Sequence, residues 1–259
     1  MSTGVSGVPV DATAPFSLHG RRILVTGASS GIGASVASLC AELGAELILS
    51  GRDAERLETT RASLAGNSHM VVAGDLTDSA TLDTLVQSAA HFDGLVSCAG
   101  VAALVPMRMA SEKYLQQMLA VNYLAPIGLA QRLLQKRKLR EGASLVFVSA
   151  LSARAAPQAA GAYAASKAAL EAASRTIGLE HARQRIRSNC IAPGYVDTPM
   201  LQRLGSAADM SEKIGLTPLG TVRPEDIAPA AAWLLSPASR WITRTTLTLD
   251  GGISLPIRL

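Results

Sequence analysis

A tyrosine and a lysine four residues apart, Tyr163 and Lys167, are the side chains of this sequence best suited to chemistry. On a helix, this spacing puts both side chains on one face. An ammonium group near a phenol favours the phenolate and lowers the tyrosine pKa toward neutrality. Such a phenol can donate a proton to a carbonyl that is being reduced, or accept one from an alcohol. The alternative is a helix with an exposed lysine, because this pair often occurs by chance.

A glycine-rich segment far upstream, 26–33, gives the tyrosine–lysine pair a context. The segment follows an apolar run at 23–25 and precedes a helical pattern over 34–43, which Gly44 ends. A strand, a glycine turn and a helix in this order suit a dinucleotide, because the helix N-terminus offers N–H donors and partial positive charge. A glycine turn without a ligand is the alternative.

The glycines of this segment have the spacing G-x-x-x-G-x-G, which differs from the common G-x-G-x-x-G fingerprint. We expect Gly27 to permit the tight turn, Gly31 to let the backbone approach the pyrophosphate, and Gly33 to let helix and strand pack closely. The residues of the segment that are predicted to contact the cofactor are Gly27, Ser29, Ser30, Gly31, Ile32 and Gly33.

Together these segments resemble the short-chain dehydrogenase/reductase family over about residues 18–253. The resemblance implies an oxidoreductase that moves a hydride between a nicotinamide cofactor and a carbonyl or secondary alcohol. Within the family, the 3-oxoacyl-carrier-protein reductases suggest one substrate class. Further segments that match the family in order are Asp75-Leu76, Ala99-Gly100, Asn122, Pro193-Gly194, Asp197-Thr198 and Asp250-Gly251-Gly252.

The end of the second predicted strand indicates which nicotinamide cofactor is used. An NAD enzyme normally has Asp or Glu there to bind the ribose 2′-hydroxyl, but this chain has Gly51 followed by Arg52. A guanidinium group offers planar paired donors to a 2′-phosphate, and Ser29 could add a hydroxyl. We therefore expect NADP(H) rather than NAD(H). The alternative is a surface arginine that pairs with Asp53 or Glu55.

The resemblance assigns the other cofactor contacts. It implies that Asp75 accepts from the adenine amino group, that Leu76 lines the adenine pocket, and that Ala99 and Gly100 pack along the adenine ribose. Cys98 stands where the family usually has an asparagine that steadies the central strand. The implied set is completed by Pro193, Gly194, Val196 and Thr198, with Tyr163 and Lys167.

Four catalytic roles follow from the resemblance. Tyr163 would transfer the proton, and Lys167 would lower the Tyr163 pKa and hold the nicotinamide ribose. Asn122 would organise a water that passes protons to solvent, unless it is a buried asparagine that satisfies backbone groups. A serine hydroxyl would polarise the substrate oxygen, where charge develops as hydride arrives.

The catalytic serine is the one of these four roles for which the sequence departs from the family pattern. The family position, thirteen residues before Tyr163, is Ala150. We expect Ser149 to supply the hydroxyl, slightly ahead of Ser152, although strand alternation directs Ser149 away unless the following loop carries one extra residue. A third alternative leaves the role empty. A nucleotide-binding scaffold or regulatory subunit that has lost efficient catalysis is therefore the alternative function.

Apolar runs alternate with helical stretches along this chain of 259 residues, of which 48% are hydrophobic. This pattern predicts an α/β fold, a single-domain, Rossmann-type, doubly wound parallel sheet of about seven strands with helices on both faces. We expect a disordered arm over 1–17 and one domain over 18–259. The predicted strands are 23–26, 46–50, 69–73, 94–97, 144–149, 187–191 and 245–249.

Charge and composition limit the classes of binding partner and substrate that we expect. The formal net charge is +4, with basic clusters at 136–140 and 183–187 that are either solvated helix ends or a docking surface for an acidic carrier protein. Neither cluster contains interleaved aromatic residues, which disfavours nucleic acid. The mostly apolar substrate mouth favours a ketone or acyl substrate. Its expected residues are Ala150, Leu151, Pro193, Tyr195, Val196, Met200 and Leu204.

The remaining expectations concern location and assembly. Three cysteines without a C-x-x-C pair indicate reduced thiols and a cytoplasmic protein. No apolar run is long enough for a membrane span, and no metal site is predicted. The segments 121–135 and 163–181 are rich in Ala and Leu, which predicts helix–helix contacts in a homodimer or homotetramer.

Overall fold

The computed structural model describes residues 14–204 and 214–254. Their strands form one parallel sheet of seven strands in the order β3-β2-β1-β4-β5-β6-β7. This architecture confirms the predicted doubly wound α/β fold. The strands are β1 (Arg22–Thr26), β2 (Glu46–Gly51), β3 (Met70–Ala73), β4 (Phe92–Ser97), β5 (Leu139–Val148), β6 (Arg187–Pro193) and β7 (Thr246–Leu249).

Helices cover both faces of the sheet. The core on one face contains residues of α1 and α9, and the core on the other face contains residues of α3, α5 and α7. A π-helical turn, Ala120–Leu124, joins α4 to α5. The helices are α1 (Gly31–Glu42), α2 (Ala54–Ser63), α3 (Ser79–Gln87), α4 (Glu112–Leu119), α5 (Ala125–Gln135), α6 (Ser152–Ala155), α7 (Gly161–Glu180), α8 (Pro199–Gln202) and α9 (Pro224–Leu235).

The continuous apolar runs of the strands follow from burial on both faces of the sheet. In β1, the side chains of Ile23 and Val25 belong to the core beside α1, and that of Leu24 belongs to the core beside α5. All three are completely buried. A strand with two covered faces has no position for a solvent-facing polar residue, which is why the predicted and observed strands agree closely.

The first half of β5 is the main difference from the predicted strands. This strand begins at Leu139, whereas the prediction begins at residue 144. Arg140 and Glu141 are exposed, and the pairing with β4 shifts register between Phe92 and Gly94. A polar, irregular strand start carries no apolar run, so the sequence pattern did not reveal it.

The predicted arm over 1–17 falls mostly outside the described residues. Its last part is ordered, since Ala14–Phe16 form a 3₁₀ turn and Leu18, just beyond, is completely buried in the core beside α1. Among residues 14–204 and 214–254, no helix combines the length and the apolar character needed to cross a membrane.

Candidate active site

The candidate site is a cleft of about 320 Å³ at the carboxyl ends of the strands. The glycine-rich segment 26–33 follows β1, and Cys98 to Gly100 follow β4, which is the neighbour of β1 in the sheet. The strand order reverses between these two strands, because the chain winds outward from β1 through β2 to β3, and from β4 through β5 to β7. Such a switch point is where open α/β sheets bind ligands.

Most of the residues predicted to bind the cofactor line this one cleft. They come from five separate segments, which are the loops after β1, β2, β3 and β4 and the start of α8. The predicted residues that line the cleft are Gly27, Ser29, Ser30, Gly31, Ile32, Gly33, Arg52, Asp75, Leu76, Ala99, Gly100 and Thr198.

The glycine-rich segment is packed too tightly for side chains at two positions. A Cβ atom on Gly33 would lie 2.2 Å from the carbonyl oxygen of Gly27, and a Cβ on Gly27 would lie 2.7 Å from the backbone nitrogen of Ala99. Gly27 also has a φ of +68°, which side-chain-bearing residues rarely adopt. The N-terminus of α1 therefore faces the cleft with bare backbone, as the pyrophosphate of a dinucleotide requires.

The cleft is positively charged at its β2 end. Arg52 and Arg56 line it there beside Gly51, and Arg203 lines it near α8. Among the described lining residues, Asp75 is the one acid. Its Oδ1 atom accepts hydrogen bonds from the backbone nitrogen and the hydroxyl of Thr77, which lower its pKa. Three guanidinium groups around one carboxylate fit an anionic ligand such as a dinucleotide phosphate.

The predicted residues after β6 have mixed placements. Thr198 lines the cleft, and its hydroxyl caps α8. Pro193 ends β6, the backbone nitrogen of Gly194 donates to the carbonyl of Leu249 in β7 at 3.0 Å, and Val196 is buried. None of Pro193, Gly194 and Val196 lines the cleft.

Tyr163 and Lys167 lie one turn apart on α7, with the Lys167 Nζ 5.8 Å from the centre of the Tyr163 ring. Lys167 is 4% exposed, and its Nζ donates to the carbonyl oxygen of Val148, the last residue of β5, at 2.8 Å. Burial lowers the pKa of Lys167 to about 8 and raises the pKa of Tyr163 to about 12. The expected lowering of the Tyr163 pKa by Lys167 is therefore not found, and burial alone accounts for the raised pKa.

Asn122 is completely buried in the π-helical turn and uses its amide group on protein partners. Its Oδ1 accepts from the backbone nitrogen of Val101 at 2.9 Å, and its Nδ2 donates to the Val101 carbonyl at 2.9 Å and to Ser166 Oγ at 3.2 Å. These contacts match the alternative in which a buried asparagine satisfies backbone groups. They tie the loop after β4 to α7, one residue from Lys167.

Gly100 separates the cleft from these buried polar groups. A Cβ atom on this residue would lie 3.0 Å from Asn122 Oδ1 and 3.5 Å from Lys167 Nζ. Because Gly100 also lines the cleft, the ammonium group of Lys167 lies directly behind a wall that has no side chain. A ligand in the cleft can therefore approach Lys167 from this side.

Ser149 is oriented toward the body of α7. It is 2% exposed, and its Oγ donates to Glu171 Oε1 at 2.9 Å. Glu171 lies two turns beyond Tyr163 on α7, whereas helical side chains such as Tyr163 lean toward the helix N-terminus. The preferred assignment of Ser149 as the substrate-polarising hydroxyl does not fit this geometry. The alternation of side chains along β5 continues to Ser149, which therefore points away from the Tyr163 phenol.

Ser152 has different surroundings from Ser149. It is the first residue of α6, and its buried Oγ has no hydrogen-bond partner among the described residues. The segment just before it is fixed, because the backbone nitrogen of Leu151 donates to the carbonyl oxygen of Pro193 at the end of β6 at 2.8 Å. Unlike the Ser149 hydroxyl, the Ser152 hydroxyl is not committed to a protein partner among the described residues.

The three cysteines are all free, as predicted from the sequence. Cys40 and Cys190 are buried, whereas Cys98 is partly exposed and lines the cleft. Burial raises the pKa of each thiol to about 12, so none is a ready nucleophile near neutral pH.

The two basic clusters lie at the wrong edge of the sheet to serve the cleft. Residues 136–140 join α5 to the start of β5, and residues 183–187 precede β6, whereas the cleft is at the strands' carboxyl ends. The ten residues of β5 separate the two edges by roughly 30 Å. Lys136 pairs with Asp83 at 3.2 Å, and Arg187 is buried. The clusters therefore do not line the cleft, and their use as a docking surface for an acidic carrier protein stays a prediction.

Comparison with known proteins agrees with the fold and the cleft. Residues 27–254 match the family model described as enoyl-(acyl carrier protein) reductase. The chain is 31% identical over 253 residues to the galactitol 2-dehydrogenase (L-tagatose-forming) of Cereibacter sphaeroides, covering 95% of this chain and 100% of that one. It is 30% identical over 238 residues to the 3-oxoacyl-(acyl-carrier-protein) reductase FabG of Rickettsia prowazekii (strain Madrid E), covering 91% and 98%.

A solved structure gives the same result in three dimensions. The short-chain dehydrogenase/reductase from Serratia marcescens BCRC 10948 superposes with a TM-score of 0.85 at 28% identity, covering 92% of this chain and 99% of that one. The agreement extends over nearly the whole chain in sequence and in structure. The chain therefore belongs to the short-chain dehydrogenase/reductase family of oxidoreductases.

Proposed function

We propose that this oxidoreductase uses NADP(H) to interconvert a carbonyl and a secondary alcohol, with Tyr163 as the acid and base. One observation carries the proposal. Lys167, one turn from Tyr163 on α7, lies behind Gly100 in the wall of a cleft whose β2 end presents Arg52, where an acidic residue would select NAD(H). The bare glycine backbone at α1 and the arginine-lined wall fit a phosphorylated dinucleotide.

The reduction direction suits the protonation state of Tyr163. Burial raises the pKa of this phenol to about 12, so it carries its proton at neutral pH and can donate it to a developing alkoxide. A bound nicotinamide supplies the hydride that reaches the carbonyl carbon. Lys167 holds a position behind Gly100, from which its Nζ can approach the cofactor ribose and the Tyr163 proton path. Asn122 acts as a positioning residue through Val101 and Ser166.

Ser152, rather than Ser149, is our choice for the hydroxyl that polarises the substrate oxygen. The Ser149 hydroxyl is engaged by Glu171, whereas the Ser152 hydroxyl has no partner among the described residues. Ala150, at the usual family position, offers no hydroxyl. A donor aimed at the developing negative charge is worth about 10²–10³ in rate, so the assignment has a measurable consequence.

The second candidate function is a nucleotide-binding scaffold or regulatory subunit. Ala150 favours it, because the residue removes a hydroxyl from the place where the reaction needs one. Cys98, which replaces the asparagine usual in the family, also favours it. This candidate predicts tight cofactor binding without reduction of any carbonyl.

The substrate and assembly are proposed from surface character. The mouth residues Leu151, Tyr195 and Met200 favour a ketone or acyl substrate, either free or bound to a carrier protein. Leu124 and Leu179 are each 59% exposed on the Ala- and Leu-rich segments, which supports a homo-oligomer through these faces. Three free cysteines support a reducing compartment such as the cytoplasm.

Oxidation of NADPH and NADH by the purified chain tests the proposal. The carbonyl panel should contain an acetoacetyl thioester, diketones, cyclic ketones and a ketose. We expect at least one member to be reduced, and faster with NADPH. Binding of NADPH without turnover of any member would instead support the scaffold. Faster turnover with NADH would contradict the cofactor assignment.

A further inference from the structure

We propose that Arg56 is a second residue that selects the 2′-phosphate of the cofactor, acting together with Arg52. This inference rests on the proposed use of NADP(H). Arg56 lies in the first turn of α2, and the sequence pattern alone gives it the character of an ordinary charged helix residue. The structure instead brings it to the cleft, where Arg52, Gly51 and Ser29 also contribute to the wall.

The side chain of Arg56 is held against the glycine-rich segment. Its Nη2 atom donates to the carbonyl oxygen of Ser29 at 3.2 Å, which joins the start of α2 to the loop after β1. A guanidinium group has five N–H donors in a fixed planar fork, so this single bond leaves most of them available. The bond therefore orients the guanidinium group of Arg56 and leaves its other N–H donors available to bind an anion.

The nearby acid is committed elsewhere. The side chain of Asp53 caps α2 by accepting a hydrogen bond from the backbone nitrogen of Arg56 at 3.0 Å. Within the described part of the chain, no ion pair includes Arg52 or Arg56, so the expected alternative of an Arg52–Asp53 pair is absent there. Arg61, five residues beyond Arg56 on α2, is paired with Glu58.

The contrast within α2 indicates what the two cleft arginines bind. The arginine far from the cleft has a carboxylate partner, whereas the two at the cleft have none among the described residues. Both arginines also lie at the N-terminus of a ten-residue helix, α2. The Ser29 hydroxyl is close to this end of β2, since a Cβ atom added to Gly51 would lie 3.6 Å from it. After the Thr77 hydrogen bonds, the Arg52 charge also contributes to the lowered pKa of Asp75, but no carboxylate forms an ion pair with either arginine among the described residues. A phosphate dianion matches these donors better than the neutral 2′-hydroxyl of NAD(H) does.

The binding of two adenosine nucleotides that differ only in the 2′-phosphate tests this inference directly. Calorimetric titrations with 2′,5′-ADP and 5′-AMP separate the 2′-phosphate from the rest of the nucleotide, for the wild type, Arg52→Ala, Arg56→Ala and Arg61→Ala. We expect Arg56→Ala to weaken 2′,5′-ADP about tenfold or more, the usual scale for a lost charge-assisted hydrogen bond, and to leave 5′-AMP unchanged. Arg61→Ala, the matched control on the same helix, should bind both ligands as the wild type does.

The outcomes separate this inference from the proposed function. If Arg52→Ala weakens 2′,5′-ADP selectively but Arg56→Ala does not, the role of Arg56 is wrong and the use of NADP(H) stands. If the wild type binds 2′,5′-ADP no better than 5′-AMP, both are overturned. Equal weakening of both ligands by Arg56→Ala would show that the residue only supports the loop, which also overturns the inference. Melting temperatures of all variants check that α2 is intact.

Discussion

The two halves of the proposed active site are built in different ways. The nucleotide half, formed by the loops after β1 and β2, depends on bare backbone, helix N-termini and arginines, and a Cβ atom added to Gly33 or Gly27 would lie only 2.2 or 2.7 Å from neighbouring backbone. The proposed catalytic half depends on side chains from separate segments outside the lining of the cleft, among them Asn122, Ser152 and Tyr163. A glycine at such a position as Gly33 or Gly27 cannot gain a side chain unless the loop shifts. A side-chain hydroxyl, in contrast, can be supplied from a neighbouring position.

The departures from the family pattern are found in the half that depends on side chains. Ala150 and Cys98 both belong to the catalytic half and its central strand, whereas the glycines of the segment 26–33 are all present. We therefore expect cofactor binding and turnover to be separable properties of this chain. Variants should therefore affect one without the other.

The largest expected effect is that of Tyr163→Phe in the catalytic half. Removal of the phenolic hydroxyl removes the proton donor, and turnover should fall by about 10²–10⁴-fold, the usual contribution of a general acid. Binding of NADPH, measured by fluorescence titration, should stay within twofold of the wild type, roughly the limit of such a titration. Tyr114→Phe is the matched control, because its hydroxyl donates to the carbonyl of Ala103 and has no proposed role in the reaction. Equal activity of Tyr163→Phe and wild type would remove Tyr163 from the mechanism.

The next effect distinguishes the hydroxyl donors. Ser152→Ala should lower kcat by about 10²–10³-fold with little change in NADPH affinity. Ser149→Ala should instead act mainly on stability, because it removes the hydrogen bond to the buried Glu171. Ala150→Ser, which restores a hydroxyl at the family position, should recover activity in the Ser152→Ala background. Loss of kcat in Ser149→Ala alone would reverse the assignment.

Gly33→Ala should break the nucleotide half. The added Cβ atom would meet the Gly27 carbonyl at 2.2 Å, so the loop must shift, at a cost of about 1–3 kcal/mol in the free energy of unfolding. NADPH affinity should fall with it. Gly215→Ala is the control, because a Cβ there meets nothing within 4 Å. Urea unfolding measures both, and equal stability of the two variants would contradict the packing argument.

The smallest effect concerns the pH dependence of stability. Burial lowers the pKa of Lys167 from 10.5 to about 8, so between these values the unfolded chain binds more protons than the folded chain. The wild type therefore gains stability from this group as pH rises through that window. Lys167→Met lacks this gain, so any stability advantage it has over the wild type should shrink from pH 8 to 10.5. A difference that stays constant with pH, as expected for the exposed control Lys113→Met, would contradict the burial argument.

The sequence reveals the nucleotide half better than the catalytic half for a physical reason. Glycines that are required by close contacts, and strands with two covered faces, leave patterns that spacing alone can detect. Side chains at a strand end point alternately to opposite faces, so a shift of a single residue would reverse the orientation of Ser149. Arg56 looks like a surface charge until its bond to the Ser29 carbonyl is known. The π-helical turn around Asn122 has no periodic signal, so only the structure reveals it.

The most direct test of the account is transfer of a labelled hydride. NADPH that carries deuterium at the transferable C4 position of the nicotinamide is incubated with the chain and the carbonyl panel, and the alcohols are examined by mass spectrometry. The account predicts deuterium on the carbinol carbon with the wild type and its loss with Tyr163→Phe. Tight NADPH binding with no labelled alcohol from any carbonyl would contradict it and leave a nucleotide-binding scaffold.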